Sequence, residues 1–338
     1  MRQIRVAIPI LIACIASFAA DPGLHVLKSY KLGGEGGWDY LKIDAASRSL
    51  FISRSTHVIV MDIETGKPVG DIPDTPGVHG IALAPELGRG FTSNGREGSV
   101  SIFDLKTFKP LEKVQNVGQN PDAILYDPAT KRVFTFNGRS GDSTAIDAAT
   151  GKIVGKIPLD GKPEFATSDE NGKIFVNIED KSELVALDPQ NLKVLSRWPL
   201  APCESPSGLA MDIANRRLFS GCDKLMAVVN ADTGKVIATL PIGDGVDATR
   251  FDPESKLAFA SCGEGVLTVV KEDAPDKFEV VQNVPTKPGA RTMALDPKTH
   301  QIFLVTAKFG PPPAATPANP HPWPSILADT FEVLVVGK

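Results

Sequence analysis

One pattern of apolar and polar positions recurs seven times along the chain. Each copy consists of an apolar strand, a polar turn that usually contains Asp, and a second strand that contains a phenylalanine. Short alternating segments separated by turn residues predict β-strands joined as hairpins. The seven copies are YLKIDAASRSLFIS (40–53), GIALAPELGRGFTS (80–93), AILYDPATKRVFTF (123–136), FATSDENGKIFVN (165–177), GLAMDIANRRLFSG (208–221), ATRFDPESKLAFAS (248–261) and TMALDPKTHQIFLV (292–305).

The phenylalanine of each copy defines the period of the repeat. Successive members lie 40 to 44 residues apart. A period of about 40–45 residues with several strands per unit is typical of the blades of a β-propeller. The series is Phe51, Phe91, Phe134, Phe175, Phe219, Phe259 and Phe303.

A second hairpin follows the first in each repeat. Its clearest copies are HVIVMDIETGKPVGDI (57–72), STAIDAATGKIVGKI (143–157) and LMAVVNADTGKVIATL (225–240). The Thr-Gly-Lys turn suits a hairpin because glycine adopts positive φ without steric cost. Each repeat therefore contains about four strands, and we predict an all-β, seven-bladed β-propeller with four-stranded blades.

The two ends of the chain predict how the ring closes. The seventh repeat ends with FEVLVVG (331–337), which matches a third strand, and no fourth strand follows it. The unassigned strand LHVLKSYKL (24–32) precedes the first repeat, and we predict that it completes the last blade. This pairing would protect two open sheet edges. Residues 24–338 then form a single propeller domain, with a proline-rich insertion at 309–329 between the second and third strands of repeat seven.

The N-terminus has the layout of a targeting segment. Arg2 and Arg5 precede the apolar run 6–16, and small residues follow it. This pattern predicts a signal peptide over residues 1–19, because the run is too short to span a bilayer. In an alternative interpretation the run ends in a lipoprotein box, with a lipid anchor at Cys14. Both interpretations place the protein in the periplasm or outside the cell, and no later segment is apolar and long enough to be a transmembrane helix.

Composition and charge narrow the functional classes. The chain has 42% apolar and 22% charged residues, with 30 glycines and 28 prolines, which excludes a disordered chain and suits many strands joined by turns. The formal net charge is −4, and loss of the two arginines in residues 1–19 makes it −6. An acidic chain without a basic stripe does not favour nucleic-acid binding.

Three cysteines remain after the predicted signal peptide, in a compartment that permits disulfides. Cys203 lies just before the first strand of repeat five, and Cys222 ends the next strand of that repeat. Antiparallel pairing brings these two ends together, so we predict a Cys203–Cys222 disulfide. The rival pairing joins Cys222 to Cys262, which occupies the equivalent position in the next repeat.

The start of each inner strand predicts a candidate binding site. In a propeller these positions surround the central channel, and here they are almost all polar, which suggests a ligand site. The ring consists of Asp39, His79, Asp122, Glu164, Ser207, Asp247 and Arg291. A secondary ring on the same face lies three residues after each phenylalanine and includes Arg54, Asn94 and Asn137. Trp323, in the proline-rich insertion, either stacks on a ligand above this face or belongs to an inert stiff loop.

Three interpretations of the ring stay open. The carboxylates with His79 suit a divalent cation, because oxygen ligands bind calcium or magnesium and imidazole binds transition metals. Arg291 and Arg54 instead suit an anionic ligand. Alternatively, the channel is simply hydrated and holds no ligand.

Motifs for several common chemistries are absent from the sequence. There is no Cys-x-x-Cys-His for covalent haem, no His-Glu-x-x-His zinc helix, no Gly-x-Ser-x-Gly nucleophile elbow and no phosphate-binding nucleotide loop. The cofactor is therefore unassigned, with a divalent metal as the candidate, and the sequence leans against an enzyme.

The repeats resemble those of the YVTN-type, or YncE-like, β-propeller family of bacterial envelopes. Phe91-Thr92-Ser93-Asn94 is close to the naming motif, 134–137 and 175–177 are looser versions, and the Asp-x-x-Thr-Gly-Lys turns are similar. The resemblance covers nearly the whole predicted mature chain. It implies a seven-bladed, often secreted propeller, and one member of that family is associated with single-stranded DNA.

The predicted function is a secreted or periplasmic binding or scaffold module whose polar channel face holds a protein or a small molecule. Its acidic charge does not favour nucleic acid, and we expect a monomer. The alternative is a metal-assisted enzyme of the lactonase or lyase type. In that case Asp122, Glu164 or Asp247 would be a metal ligand or base, and His79 the acid/base. Single-stranded DNA binding follows from the resemblance alone.

Overall fold

A computed structural model describes residues 22–316, 322 and 324–338. Within these ranges the chain forms 28 strands, arranged in seven four-stranded antiparallel sheets that make the blades of a propeller. The prediction of an all-β, seven-bladed propeller is confirmed. The predicted signal peptide, the alternative anchor at Cys14 and the side chain of Trp323 lie outside the described residues.

The chain begins with the strand β1 (His25–Lys31) and then builds each blade from its innermost strand outwards. The strands of blades 1 to 3 are β2 (Leu41–Asp44), β3 (Ser49–Arg54), β4 (His57–Asp62), β5 (Pro68–Ile72); β6 (Val78–Ala84), β7 (Arg89–Asn94), β8 (Ser99–Asp104), β9 (Pro110–Val114); and β10 (Pro121–Asp127), β11 (Arg132–Asn137), β12 (Asp142–Asp147), β13 (Ile153–Pro158).

Blades 4 to 7 follow the same order. Their strands are β14 (Pro163–Ser168), β15 (Ile174–Ile178), β16 (Glu183–Asp188), β17 (Lys193–Pro199); β18 (Leu209–Asp212), β19 (Arg217–Cys222), β20 (Leu225–Asn230), β21 (Val236–Pro241); β22 (Val246–Asp252), β23 (Leu257–Cys262), β24 (Val266–Ala274), β25 (Lys277–Pro285); and β26 (Met293–Leu295), β27 (Ile302–Thr306), β28 (Glu332–Gly337). The helical residues of the described chain are two 3₁₀ turns, Pro85–Leu87 and Glu179–Lys181.

The N-terminal strand completes the last blade, as predicted. β1 pairs with β28 in antiparallel register, with His25 opposite Gly337 and Lys31 opposite Glu332. Its flanks also connect the neighbouring blades: Leu24 exchanges backbone hydrogen bonds with the Gln282 side chain of blade 6. The ring therefore closes through hydrogen bonds between the two ends of the chain.

The core lies between the blades and contains all seven repeat phenylalanines. Each lies in the second strand of its blade and is at most 1% exposed. Complete burial of such a side chain stabilises the fold by about 1.5–3 kcal/mol. The recurrence of one phenylalanine in each repeat thus reflects a packing position that every blade contributes.

Side-chain caps hold the outer hairpin turns that the repeat predicted. In the first repeat, Oδ1 of Asp62 accepts hydrogen bonds from the backbone N–H of Thr65 at 2.7 Å and from its hydroxyl at 2.8 Å. Gly66 follows with φ of +71°, and a Cβ there would lie 2.0 Å from the Tyr30 ring of β1. The glycine is therefore required both by its backbone conformation and by the approach of the closing strand.

The predicted Cys203–Cys222 disulfide is present. The two Cα atoms lie 5.6 Å apart at a sequence separation of 19 residues. Cys222 ends β19, and Cys203 lies in the segment that leads to β18, so the hairpin brings them together as expected. Cys262 is a buried free thiol, and the rival bridge is not formed.

Removal of this disulfide should lower the free energy of unfolding. By chain entropy, closing a loop of this length contributes about 3 kcal/mol. We expect a Cys203→Ser/Cys222→Ser variant to lose about that much free energy of unfolding. Its urea midpoint should be correspondingly lower. Cys262→Ser is the matched control, since it removes a buried sulfur and leaves the bridge. If the control and the double variant lose equal stability, the disulfide contributes nothing beyond packing.

None of the helices in the described part of the chain is long and apolar enough to cross a bilayer.

Candidate functional site

The seven residues of the predicted ring converge on one axial cavity of about 510 Å³. Each lies at the start of an innermost strand or within two residues before it, so the closed ring brings one from every blade to the same mouth of the channel. The members that line the cavity are Asp39, His79, Asp122, Glu164, Ser207, Asp247 and Arg291. The structure therefore brings together side chains that are up to 252 residues apart in sequence.

Polar side chains of the second strands hold the backbone of this ring. They occupy one position of the repeat, two residues after the phenylalanine, and each hydrogen-bonds main-chain atoms at or beside a ring residue. The contacts are Asp39 N–H to Ser53 Oγ, Ser93 Oγ to Asp122 O, Asn177 Nδ2 to Ser207 O, and Ser261 Oγ to Arg291 O. Three of the four connect adjacent blades, so the positions of ring residues depend on the blade-to-blade packing.

His79 forms the centre of a compact group on one side of the cavity. Its Nδ1 lies 2.6 Å from Oδ2 of Asp39 and 3.8 Å from Oδ1 of Asp122. One ligand atom of each of the three residues lies within 4.8 Å of the other two. Two carboxylates and one imidazole at this separation are a donor set for a divalent metal ion.

Paired charges occupy the other sides of the cavity. Nε of Arg291 lies 3.4 Å from Oδ2 of Asp247, while Ser207 donates a hydrogen bond to the Asp247 main-chain oxygen at 3.1 Å. Nζ of Lys162 lies 2.7 Å from Oε1 of Glu164 and also contacts Glu179. These contacts offset the charges of Asp247 and Glu164, so the remaining acidic charge of the ring lies on Asp39 and Asp122, whose basic neighbour is His79.

Burial and mutual repulsion raise the proton affinity of these acids. Burial raises the pKa of Asp122, His79 opposes the shift, and the charges of Asp39 and Asp247 add to it. Burial and the charge of Asp122 likewise raise the pKa of Glu164, against the effect of Lys162. Burial also raises the pKa of Asp247, although Arg291 opposes it.

Histidine responds to the same cluster. Burial by itself lowers the pKa of His79, but the hydrogen bond with Asp39 and the charges of Asp122 and Glu164 outweigh that effect and raise the pKa to about 9. At neutral pH the imidazole is therefore protonated, and it acts as the internal counter-ion of the acids. The cavity retains protons that a bound cation would replace.

Protein stability should consequently fall as the pH rises. A group whose pKa is higher in the folded state stabilises the fold fully below its unfolded pKa and loses that contribution as the pH passes the folded pKa. For His79 this loss runs from about pH 6.5 to about 9, and the raised acids lose theirs from about pH 4 upwards. We expect the melting temperature to decrease steadily between pH 5 and 9.5.

Glu272 supplies the control for this experiment. It lies in blade 6 outside the cavity, and burial together with Asp212 raises its pKa to about 7. Asp122→Asn should flatten the pH dependence by removing one cavity acid, whereas Glu272→Gln should remove only a separate contribution near neutral pH. A profile that Asp122→Asn leaves unchanged would contradict the assignment of the effect to the cavity.

Tyr40 forms the floor of the acidic cavity and stacks on Phe165. The rings of Tyr40 and Phe165 stack at 4.6 Å, and Tyr40 lines both this cavity and a second one of about 530 Å³ below it. The Tyr40 hydroxyl is buried and has no hydrogen-bond partner among the residues that the structure describes. Burial and then the charge of Asp122 raise its pKa well above the usual value. A neutral phenol thus faces the acids from below.

The secondary ring lies within the body of the blades. Arg54, Asn94 and Asn137 are at most 1% exposed, and none of them is among the residues that line the axial cavity. Asn94 donates to Ser101 Oγ at 2.9 Å, and Asn137 holds a neighbouring loop in a similar way. The Arg54 guanidinium stacks on Phe331 at 3.9 Å. The observed contacts of these three residues are structural.

Several cavity residues were not predicted from the repeat alignment. Lys162, Glu179, Asp223 and Asp244 lie in loops between strands, where the repeats differ in sequence. Tyr40 and Phe165 carried a signal that was missed, because the equivalent positions of the other five repeats hold small residues such as Gly80 and Ala123. Two large side chains at a position of small ones indicate that they fill the channel.

Comparisons with known proteins bear on the fold. No family model matches the chain, and no curated protein matches it. Among solved structures, hydrazine synthase from Kuenenia stuttgartiensis is 16% identical with a TM-score of 0.71, over 79% of this chain and 92% of that one.

Two further solved structures are similar over nearly the whole chain. U3-55K is 9% identical with a TM-score of 0.73 and covers 92% of this chain and 98% of that one. The WD40 repeats of RRP9 are 10% identical with a TM-score of 0.73, over 94% and 98%. At these identities the likeness concerns the fold alone, and membership of the YVTN-type family stays a prediction. The chain is a seven-bladed β-propeller, structurally similar to WD40 and hydrazine synthase propellers.

Proposed function

We propose that this propeller is a binding module whose axial cavity holds a small cation, with a divalent metal ion coordinated by Asp39, His79 and Asp122. The observation that carries the proposal is the compact donor group formed by these three residues, each from a different blade, within 4.8 Å of one another. The module is proposed to work in the periplasm or outside the cell, as the N-terminal sequence pattern suggests.

The shape and charge of the cavity favour a small cation over a protein partner. The volume of about 510 Å³ matches the range of small-molecule sites, and the cavity is recessed between the inner strands. Seven acidic and three basic side chains line it. A cation bound there relieves the repulsion among buried carboxylates, while a DNA phosphate would increase it, so single-stranded DNA binding receives no support from this cavity.

Metal binding should compete with the proton on His79. A metal ligand must be a neutral imidazole, and the His79 pKa of about 9 means that a proton has to leave at neutral pH. The affinity for a divalent ion is therefore expected to increase as the pH rises from 6 to 9, in parallel with proton release.

Titration calorimetry with MnCl₂ tests this function. We expect one equivalent of Mn²⁺ to bind and to raise the melting temperature. If binding releases one proton, the affinity should increase about tenfold for each unit of pH. His79→Gln keeps a polar side chain and removes the imidazole, so it should weaken binding and reduce the pH dependence to the part that comes from the raised pKa of Asp122. Absence of saturable binding by Mn²⁺, Ca²⁺ or Zn²⁺ at any pH in this range would refute the proposal.

The same donor group supports one alternative, a metal-assisted lactonase- or lyase-like enzyme. Glu164 lies in the same cavity and has a raised pKa, which suits proton transfer near neutral pH. Turnover of a lactone panel by the Mn²⁺-loaded protein, lost in Glu164→Gln with Mn²⁺ binding retained, would favour this alternative over a binding module.

A further inference from the structure

A second cavity lies on the other side of the aromatic floor and differs from the first in charge. It has a volume of about 530 Å³; Tyr40 lines both cavities, and Phe165, which stacks on Tyr40, lines the lower one. Its charged lining consists of two bases, Lys42 from β2 and Arg250 from β22, and two acids, Glu170 and Asp252. The two basic side chains come from the inner strands of blades 1 and 6.

Both cations occupy the same position of the repeat. This position lies two residues before the turn that ends each inner strand. Five blades carry an uncharged residue at it, and two carry a basic residue. The series is Lys42, Ala82, Leu125, Thr167, Ala210, Arg250 and Ala294. The channel therefore has an acidic ring at one mouth and, below the floor, a repeat position with two basic and no acidic members, beside which Glu170 and Asp252 also line the cavity.

The described residues provide no salt bridge for either cation. Arg250 donates a hydrogen bond to the main-chain oxygen of Thr249 at 2.7 Å, and its guanidinium lies 5.3 Å from the centre of the Phe165 ring. Among these residues, no carboxylate oxygen lies within salt-bridge distance of Lys42 or Arg250. Lys42 is exposed and Arg250 is half-buried, so two like charges without a salt-bridge partner lie on the wall of one cavity, where they repel each other and favour an added anion.

The remaining charged groups that face the cavity do not neutralise the pair. Glu170 acts on Lys42 at longer range and partly offsets the effect of Arg250. Asp252 is already engaged, because it accepts a hydrogen bond from Ser255 and lies 2.9 Å from Nδ1 of His300. Asp247 lies in the cavity across the floor and pairs with Arg291 there.

Apolar side chains form much of the rest of the wall. They include Ile43, Leu125, Phe165, Phe251 and Leu295. Such walls surround the body of an organic ligand but offer little to a hydrated inorganic ion. Two basic side chains can donate charge-assisted hydrogen bonds to one carboxylate, and Arg is suited to bidentate contact with it.

We propose that this lower cavity binds an organic carboxylate, with the carboxylate between Lys42 and Arg250 and an apolar body against the surrounding aliphatic and aromatic side chains. This site is separate from the cation site and uses different residues. The channel would then have one binding site on each side of the stacked Tyr40 and Phe165 rings.

The protonation of Lys42 gives the site a distinctive signature. Although Lys42 is exposed, desolvation by the surrounding channel wall and the neighbouring Arg250 lower its pKa to about 8, and a bound carboxylate would raise it again. Binding should therefore take up a fraction of a proton at pH 8 and none at pH 6, and affinity should decrease between pH 7 and 9 as the free lysine loses its proton.

Calorimetry with benzoate in buffers of different ionisation enthalpy tests the proposal on the full chain. Acetate supplies the charge without the body, benzyl alcohol supplies the body without the charge, and inorganic phosphate supplies an anion without apolar surface. We expect benzoate to bind at least about tenfold more tightly than each of these three probes, as a charge-assisted hydrogen bond and buried ring surface together predict.

Variants assign the signal to the two cations. Lys42→Met should weaken benzoate binding about tenfold and abolish the proton uptake at pH 8, whereas Lys42→Arg should retain binding without the uptake. Arg250→Gln should weaken binding as well. If this variant does not fold because it loses the contact between Arg250 and Phe165, Lys42→Met still tests the proposal. Lys67→Met, in an exposed outer turn, is the matched control and should bind as the unaltered chain does.

Two results would overturn the proposal. One is equal binding of benzoate by the unaltered chain and Lys42→Met, with no proton uptake in either. The other is equal binding of benzoate and benzyl alcohol, since this would mean that the cations do not select the ligand.

Discussion

Deletion of residues 24–32 is expected to lower the free energy of unfolding by several kcal/mol, far more than ordinary trimming of a chain end. The deletion removes the β1 ladder, in which six residues pair with β28. At about 0.5–1.5 kcal/mol for each net hydrogen bond, such a ladder contributes several kcal/mol. It also exposes the backbone edge of β28, whose residues are all buried in the closed ring.

Urea unfolding followed by far-ultraviolet circular dichroism measures this effect. Removal of Lys338, an exposed terminal residue, is the control and should leave the midpoint unchanged. Ser29→Pro provides a milder variant that keeps the strand but removes one backbone donor opposite Leu334. A peptide of residues 24–32 added in trans should restore part of the lost stability. An unchanged midpoint in the deletion variant would contradict closure of the ring by β1.

The second large effect is expected at the acidic mouth of the channel. Asp39→Asn/Asp122→Asn keeps the size of both side chains and removes two of the three proposed metal donors. We expect Mn²⁺ affinity to fall at least about 100-fold, because each carboxylate supplies both charge and an oxygen ligand. The fold should persist, since the exchange also removes repulsion between buried acids.

Asp71→Asn/Asp276→Asn is the matched control for this prediction. Asp71 is 54% exposed and Asp276 is 70% exposed, and both lie outside the residues that form the axial cavity. The control changes the net charge by the same amount, so it should leave Mn²⁺ binding within about twofold of the unaltered chain. Equal losses in the two double variants would mean that overall charge attracts the ion and that the cavity does not.

The fold was predictable because its signal is repeated. Seven phenylalanines at nearly constant spacing identify one packing position in every blade, and an unmatched strand at each end of the chain identifies the closure. The Cys203–Cys222 bond followed from the same hairpin geometry. Each of these inferences depended on which strands are neighbours, and a tandem repeat specifies neighbours without knowledge of individual side-chain directions.

Side-chain directions at the site were harder to predict for a physical reason. The inner strands have register shifts near their starts, for example between Pro121 and Ile124 and between Val78 and Ile81. A bulge changes the face on which the following residues lie. Alignment therefore located the first ring, but it did not show that Asn94 and Asn137 lie within the blades.

Loop residues and the lower level of the channel mark the remaining limit. Lys162 and Glu179 pair across loops that the repeats do not share, so no periodic signal announces their contact. Lys42 and Arg250 do share a repeat position, but their significance depends on the Tyr40–Phe165 pair that separates their cavity from the acidic one. Sequence periodicity shows which residues are equivalent, whereas enclosure depends on the assembled ring.

Crystals grown with MnCl₂ give the most direct test of the metal site in the channel. At a pH near 9, the account predicts a strong anomalous difference peak for a Mn²⁺ ion coordinated by the side chains of Asp39, His79 and Asp122. If crystals grown at saturating Mn²⁺ and at that pH show no anomalous peak in the axial cavity, the account is contradicted.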